Sequence, residues 1–186
     1  MKGKLNLTGS IIVAPPMSED PYFAYSVILI AKHSSSGSWG LVVNKPTSVV
    51  TIDHIMKSAG MASNKKDKVY FGGPTENNRV HIVHTLDWAS SSTMTITKDI
   101  GITNDMSILA AIAQDQGPAL FRTCVGVCGW DAGQLDGEYR GEHPWKSQNR
   151  WLDVPATIES VFHLTEEDQW KRSIDLVAQN KIASWL

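Results

Sequence analysis

Cysteine is nearly absent from this chain: Cys124 and Cys128 are the only two. A disulfide framework is therefore excluded as the main source of stability. If residues 121–128 form a regular strand, both thiols lie on one face, roughly 13 Å apart. A disulfide tolerates roughly 7 Å between Cα atoms. Two thiols without histidines at ligand spacing make no zinc site either, so no metal is expected. Both are read as small buried apolar residues, with Cys128 the one that could reach solvent. Long apolar runs are also missing. The longest, residues 27–31, is far too short to cross a bilayer. Residues 1–10 are polar and carry no apolar signal-peptide core. The expectation is a cytoplasmic protein with no membrane partner. Charge of one sign is lacking too: charged residues are 19% of the chain and the net charge is −2. No global field draws in nucleic acid, and no acidic tail is present. The densest basic cluster, Lys57, Lys65, Lys66 and Lys68, has no interleaved aromatics and reads as a solvated loop. Catalytic signatures are absent as well, with no G-x-S-x-G, no H-E-x-x-H and no paired carboxylates. No cofactor is implied.

What is present suits one domain over residues 1–186. Of these residues, 42% are hydrophobic, enough for a real core. Seven tryptophans are many for this length, and Trp130, Trp145, Trp151 and Trp170 fall close together. They pack as core and rim or mark a partner surface. Apolar runs bounded by turn residues predict strands over 10–14, 26–32, 39–44, 68–71, 79–84, 93–97 and 121–128. Short strands are also expected over 151–154 and 160–163. Helices are predicted over 52–58, 106–114 (capped by Asn104 or Asp105) and 132–139. The last helix, 166–180, follows a capping-box-like Thr165 and Asp168. Trp170, Ile174, Val177 and Ala178 form its expected apolar face. Many strands are joined by short connections and the helices cluster late, which favours α+β over a parallel βαβ array.

The segment 126–135 (GVCGWDAGQL) concentrates the signals. A strand is expected to stop at a Gly-Trp turn, expose Trp130 at the corner, and lead into a helix. Small residues at such a turn let backbone N–H groups approach a ligand.

Motifs over nearly the whole length place the chain in a recognisable pattern. They run from Leu7-Thr8-Gly9 and Ile12-Val13-Ala14-Pro15 through Met17, Asp20-Pro21, Phe23 and Ser26-Val27-Ile28. His33, Gly37 and Gly40-Leu41-Val42-Val43-Asn44-Lys45-Pro46 follow, then Phe71-Gly72-Gly73-Pro74, Arg79 and His84. Gly129-Trp130, Gly133-Gln134-Leu135, Trp151 and Val154-Pro155 complete the series. In these motifs the chain resembles the YqgE/AlgH family (UPF0301, DUF179) of bacterial cytosolic proteins. It departs at Cys128 and Asp131, where small residues are usual, at Val80, where glycine is common, and in a longer segment 141–148. The resemblance implies an α+β domain whose strongly twisted, mostly antiparallel sheet approaches a flattened barrel with a few flanking helices. It implies no established activity; some members carry a transcriptional-regulator label.

Each motif has two readings. Asn44-Lys45-Pro46 is a turn, or Lys45 and the Asn44 amide face a ligand anion. Gly72-Gly73-Pro74 is a turn or an anion nest, without the glycine spacing and lysine of a P-loop. His33 and His84 end strands, as hydrogen-bonded structural residues or as general bases. His81 and His84, three apart on a strand, point to opposite faces and make no metal pair. Gln134 orients a ligand or bonds the neighbouring loop. The candidate ligand-binding residues are therefore His33, Asn44, Lys45, Gly72, Gly73, His84, Trp130 and Gln134. The leading expectation is a non-enzymatic binding or regulatory module for a small molecule or protein. The alternative is an enzyme that needs His33 or His84, Lys45 and Gln134 to converge near the Gly129-Trp130 corner. Sequence-specific DNA recognition is disfavoured by charge and motif, since the final helix mixes Lys171 and Arg172 with Glu166, Glu167, Asp168 and Asp175.

Overall fold

A computed structural model describes residues 5–144 and 150–184; Trp145 and the second half of the 141–148 segment lie outside the described residues. The chain forms strands β1 (Ser10–Val13), β2 (Val27–Ser34), β3 (Gly37–Val42), β4 (Pro46–Thr47), helix α1 (Ile52–Ser58), β5 (Val69–Phe71), β6 (Thr75–Thr85), β7 (Met94–Thr95) and β8 (Ile100–Thr103). Then come α2 (Met106–Ala113), β9 (Phe121–Trp130), α3 (Gln134–Arg140), β10 (Leu152–Pro155), a π-helical turn (Glu159–His163) and α4 (Glu166–Ala183). The strands curl into one sheet in the order β10-β1-β2-β3-β9-β6-β8-β7, with β4 and β5 branching from β9. All pairings are antiparallel except β5 with β9. The α+β architecture and curled, mostly antiparallel sheet are as expected.

Three apolar clusters follow from strand alternation. One face of β1, β2 and β3 (Ile11, Val13, Leu29, Leu41) packs under the π turn and α4 through Val161 and Val177. The opposite face (Ile12, Ile28, Ile30, Val42) packs with Trp130, Leu135 and Trp151. Ile52, Met56, Ile108, Leu109 and Ile112 seat α1 and α2 on the far end of the sheet.

Strand β9 is the spine, and it is not regular. Gly126 sits at φ +80°, and a Cβ there would lie 2.3 Å from the Gly73 carbonyl oxygen. Only glycine accepts that combination. The kink re-aims the side chains beyond it, so Cys124 joins the first cluster and Cys128 the second. The two thiols therefore do not share a face, which corrects the regular-strand expectation; both are buried, and burial pushes each thiol up to about 12.

Other expectations change. Strand β9 does not stop at a Gly-Trp turn; it runs through Trp130, which pairs with Ser38. Trp130 is buried rather than exposed at a corner. Helix α3 starts at Gln134, after Gly133 in the left-handed region. Residues 160–163 form the π turn and not a strand. Their carbonyls turn inward to side chains: Gln169 Nε2 donates to Ser160 O at 2.7 Å and Arg122 to Phe162 O at 3.5 Å, with Leu164 O just beyond the turn also accepting from Arg122 at 3.0 Å. Pro46 does not end pairing, because β4 starts at it and joins β5, with Pro46 opposite Tyr70. Strand β8 was not foreseen. On α4 the buried face is Gln169, Ser173 and Val177, with Ala178 exposed. Thr165 caps nothing through its side chain, which instead donates to Asp168 at 2.8 Å. Asp105 caps α2 as expected, accepting from Ser107 N at 2.8 Å.

Candidate functional site

Most of the polar residues singled out by sequence are occupied with holding the fold. His33 Nδ1 accepts the Leu7 backbone N–H at 3.0 Å, so its proton is on Nε2, which donates to Asp136 at 2.9 Å. The ring thus ties the N-terminal segment and the end of β2 to α3. His84 is fully buried. Its Nδ1–H donates to Thr85 O at 2.9 Å, and Nε2 accepts from the Thr103 hydroxyl at 2.9 Å, with the Trp88 ring against its edge. Burial holds its pKa below the ordinary histidine value.

Asn44 is a clamp. Its Oδ1 accepts Val27 N at 2.8 Å, and Nδ2 donates to Tyr25 O at 2.8 Å and Glu166 O at 3.2 Å. Lys45 Nζ donates to Tyr22 O at 2.6 Å, and burial pulls its pKa down. Asn44 and Lys45 share a surface groove with Tyr25, Trp170 and Lys171 that contains none of the other candidates. Gly72 and Gly73 are buried against β9: added Cβ atoms would lie 2.3 Å from Gly126 O and 2.1 Å from the Val127 carbonyl carbon. Gly72 N donates to Val125 O at 2.8 Å. Their smallness is used by backbone packed on backbone.

Trp130 and Gln134 converge on a residue that sequence reasoning missed. Glu138, buried on α3, accepts the indole N–H of Trp130 at 2.9 Å and that of Trp151 at 2.8 Å on one oxygen, Oε2. Its Oε1 accepts Gln134 Nε2 at 2.8 Å, and Gln134 Oε1 accepts Asp131 N at 3.0 Å. The Gln134–Glu138 spacing of four residues on one helix face was the available signal. Arg122 was missed in the same way. A lone charge inside an apolar strand, it is buried, donates to Val43 O and to Gln169 Oε1 (2.7 Å), and lies 4.8 Å from the Tyr70 ring centre. Burial lowers its pKa.

The structure therefore brings His33 beside α3, where Gln134 and Trp130 also meet, and sets Lys45 and His84 apart from them, in a separate groove and a separate buried network.

One groove has a different character. It is about 400 Å³ in volume and opens on the sheet between the start of β6, β7–β8 and the end of β9. Trp39, His81, Arg79, Glu76, Met94 and Gly129 are on its wall. The register of β6 breaks between Thr75 and Val80, and Glu76 takes φ +52°. That loop carries Glu76 and Arg79 as an exposed ion pair at 3.3 Å. The Trp39 and His81 rings stand 5.7 Å apart at 48°. His81 is 5% exposed, and its buried Nδ1 has no hydrogen-bond partner. Burial lowers its pKa, with Glu76 opposing and Arg79 assisting, so the ring is neutral. Gly129 pairs directly with Trp39 across the sheet, and a Cβ there would meet nothing within 4 Å. Cross-strand partners share a face, so the glycine of the Gly-Trp motif keeps the space beside Trp39 open. A second groove of about 320 Å³, lined by Ile55, Met106 and Leu109, shares Arg79 and Asn104 with the first.

The fold and this groove define a class: an α+β protein with a curled antiparallel sheet and a mixed aromatic–polar groove near its centre. Comparison with known proteins gives the family. The DUF179 profile, described as AlgH-like, matches residues 11–181, and the chain belongs to this family. It is similar to a UPF0301 protein of Thioalkalivibrio sulfidiphilus, 32% identical over 92% of this chain and 89% of the relative. A UPF0301 protein of Cereibacter sphaeroides is 35% identical over 89% of each chain. The solution structure of the AlgH protein from Pseudomonas aeruginosa superposes with a TM-score of 0.70 at 28% identity, covering 90% of this chain and 88% of that one. A crystal structure from Corynebacterium diphtheriae, 22% identical with a TM-score of 0.68, shares the fold. Among the described residues, no helix is long and apolar enough to cross a membrane.

Proposed function

We propose that this protein is a non-enzymatic binding module and that the Trp39–His81 groove receives its ligand. The carrying observation is the contrast among histidines. His33 and His84 spend both ring nitrogens on the fold, whereas buried His81 leaves Nδ1 unpaired beside an open groove. An unpaired buried polar atom is costly unless something satisfies it. Two hydroxyls on the groove wall are already committed: Thr75 donates to Val127 O at 2.8 Å, and Ser92 donates to Asp105. The groove is thus built of groups that recognise, with its hydroxyls tied back. Its volume falls in the range of small-molecule sites.

A thermal-shift screen of a metabolite library tests this, run in parallel on the wild type and Gly129→Leu. Compounds that raise the wild-type midpoint and leave the variant unmoved support the reading. Stabilisation that is equal in both proteins overturns it.

A further inference from the structure

The same groove also restricts the chemistry of its ligand, an inference that rests on the binding reading above. We infer that it takes an uncharged heteroaromatic ring that both donates and accepts hydrogen bonds, a nucleobase or nucleoside in chemical class. The Trp39 and His81 rings pack against each other, tilted at 48°, and share the apolar part of the groove wall with Ile102, Val127 and the exposed Met94. Such walls favour a flat π-system, which stacks on indole at low cost in ordering. The polar groups alternate in kind. Arg79 only donates, Glu76 only accepts, Asn104 does both, and the His81 ring adds imidazole nitrogens, of which Nδ1 is buried and unpaired. That set matches the edge of a heterocycle and is redundant for a simple hydrocarbon ring.

Charge selects against an anion. Among the described residues Arg79 is the one cation on the groove wall, and Glu76 already stands 3.3 Å from it. In the adjoining groove, which shares Arg79 and Asn104, Asp105 is kept ionised by hydrogen bonds from Ser107, Ser92 and Ser90. A phosphate or carboxylate that reached Arg79 would meet both carboxylates. The exposed Glu76–Arg79 pair is weak enough to open for a neutral partner that offers one donor and one acceptor.

Isothermal titration with adenosine, adenosine 5′-monophosphate and benzoate, paired with NMR of the Trp39 indole N–H, tests the assignment. The expected result is adenosine binding that moves the Trp39 signal. Binding should weaken at least tenfold in His81→Phe, which keeps the ring shape but not the nitrogens, and in Gly129→Leu, which keeps His81 and fills the space. The monophosphate should bind no more tightly than adenosine, and benzoate should leave Trp39 unmoved. Tighter binding of the monophosphate or benzoate with a Trp39 shift overturns the ligand class while leaving the groove as a binding site. Failure of adenosine to move Trp39 overturns the class as well. If library compounds also fail to move Trp39, the binding reading falls with it.

Discussion

Trp39 and Gly129 face each other across the β3–β9 pairing, and the glycine side of that pair is empty space. The backbone at Gly129 is not in the left-handed region, so a side chain fits there without strain. Gly129→Leu is predicted to change stability by about 0.5 kcal/mol or less, as for a surface substitution. Chemical denaturation read by circular dichroism checks this, and a large loss would mean that the glycine serves packing.

Gly126→Ala behaves differently. It forces a Cβ into the left-handed region and against the Gly73 carbonyl at 2.3 Å. The expected cost is about 2–4 kcal/mol, from backbone strain and a displaced contact between β9 and the Gly72-Gly73 turn. Urea unfolding gives the difference directly.

Glu138→Gln removes an acceptor from a site where two indole N–H groups and the Gln134 amide all donate. The new amide brings donors of its own, leaving at least one buried N–H unpaired. The predicted loss is about 1–3 kcal/mol. Glu138→Ala should lose at least as much and should shift the emission of Trp130 and Trp151. Unchanged stability in both variants would mean that the carboxylate is dispensable.

The stability of the fold should decline in mild acid through its histidines. Burial lowers the pKa of His81 and of His84 from 6.5. Below 6.5 the unfolded chain takes up protons that the folded chain refuses. The stabilisation is therefore complete above that value and is lost as pH falls toward the folded pKa values. His84→Gln should flatten part of this slope below pH 6.5. A second decline, lower still, follows from Asp105. Its pKa is held down to about 2 from 3.8, so its contribution is present above 3.8 and disappears as pH falls toward about 2. Thermal midpoints across the pH series of wild type and His84→Gln separate the two windows.

Much of the fold is readable from the sequence because its strongest signals are local. The apolar runs of β2, β3 and β9 and the Asp105 cap of α2 are of this kind. What escaped depends on partners distant in the chain. β8 has a glycine in a four-residue strand and is recognisable through its pairing with β6 and β7. The carbonyls of the π turn are taken up by Arg122 and Gln169, side chains from β9 and α4. At the candidate site, the glycines and tryptophans of the motifs were visible, but their work was not. Gly72 and Gly73 make room for backbone, and Trp130 reports to Glu138 rather than to solvent. His81 was weighed only as half of a metal pair, because nothing local distinguishes a histidine with a free nitrogen from one whose nitrogens are bonded.

The groove beside His81 is the proposed ligand site. The most direct measurement is a two-dimensional NMR footprint of the tryptophan indole N–H groups during titration with whatever compounds stabilise the protein. The Trp39 signal should move first and furthest while those of Trp130 and Trp151, bonded to Glu138, stay in place. Ligands that move Trp130, Trp151 or Trp170 and leave Trp39 unchanged would contradict it.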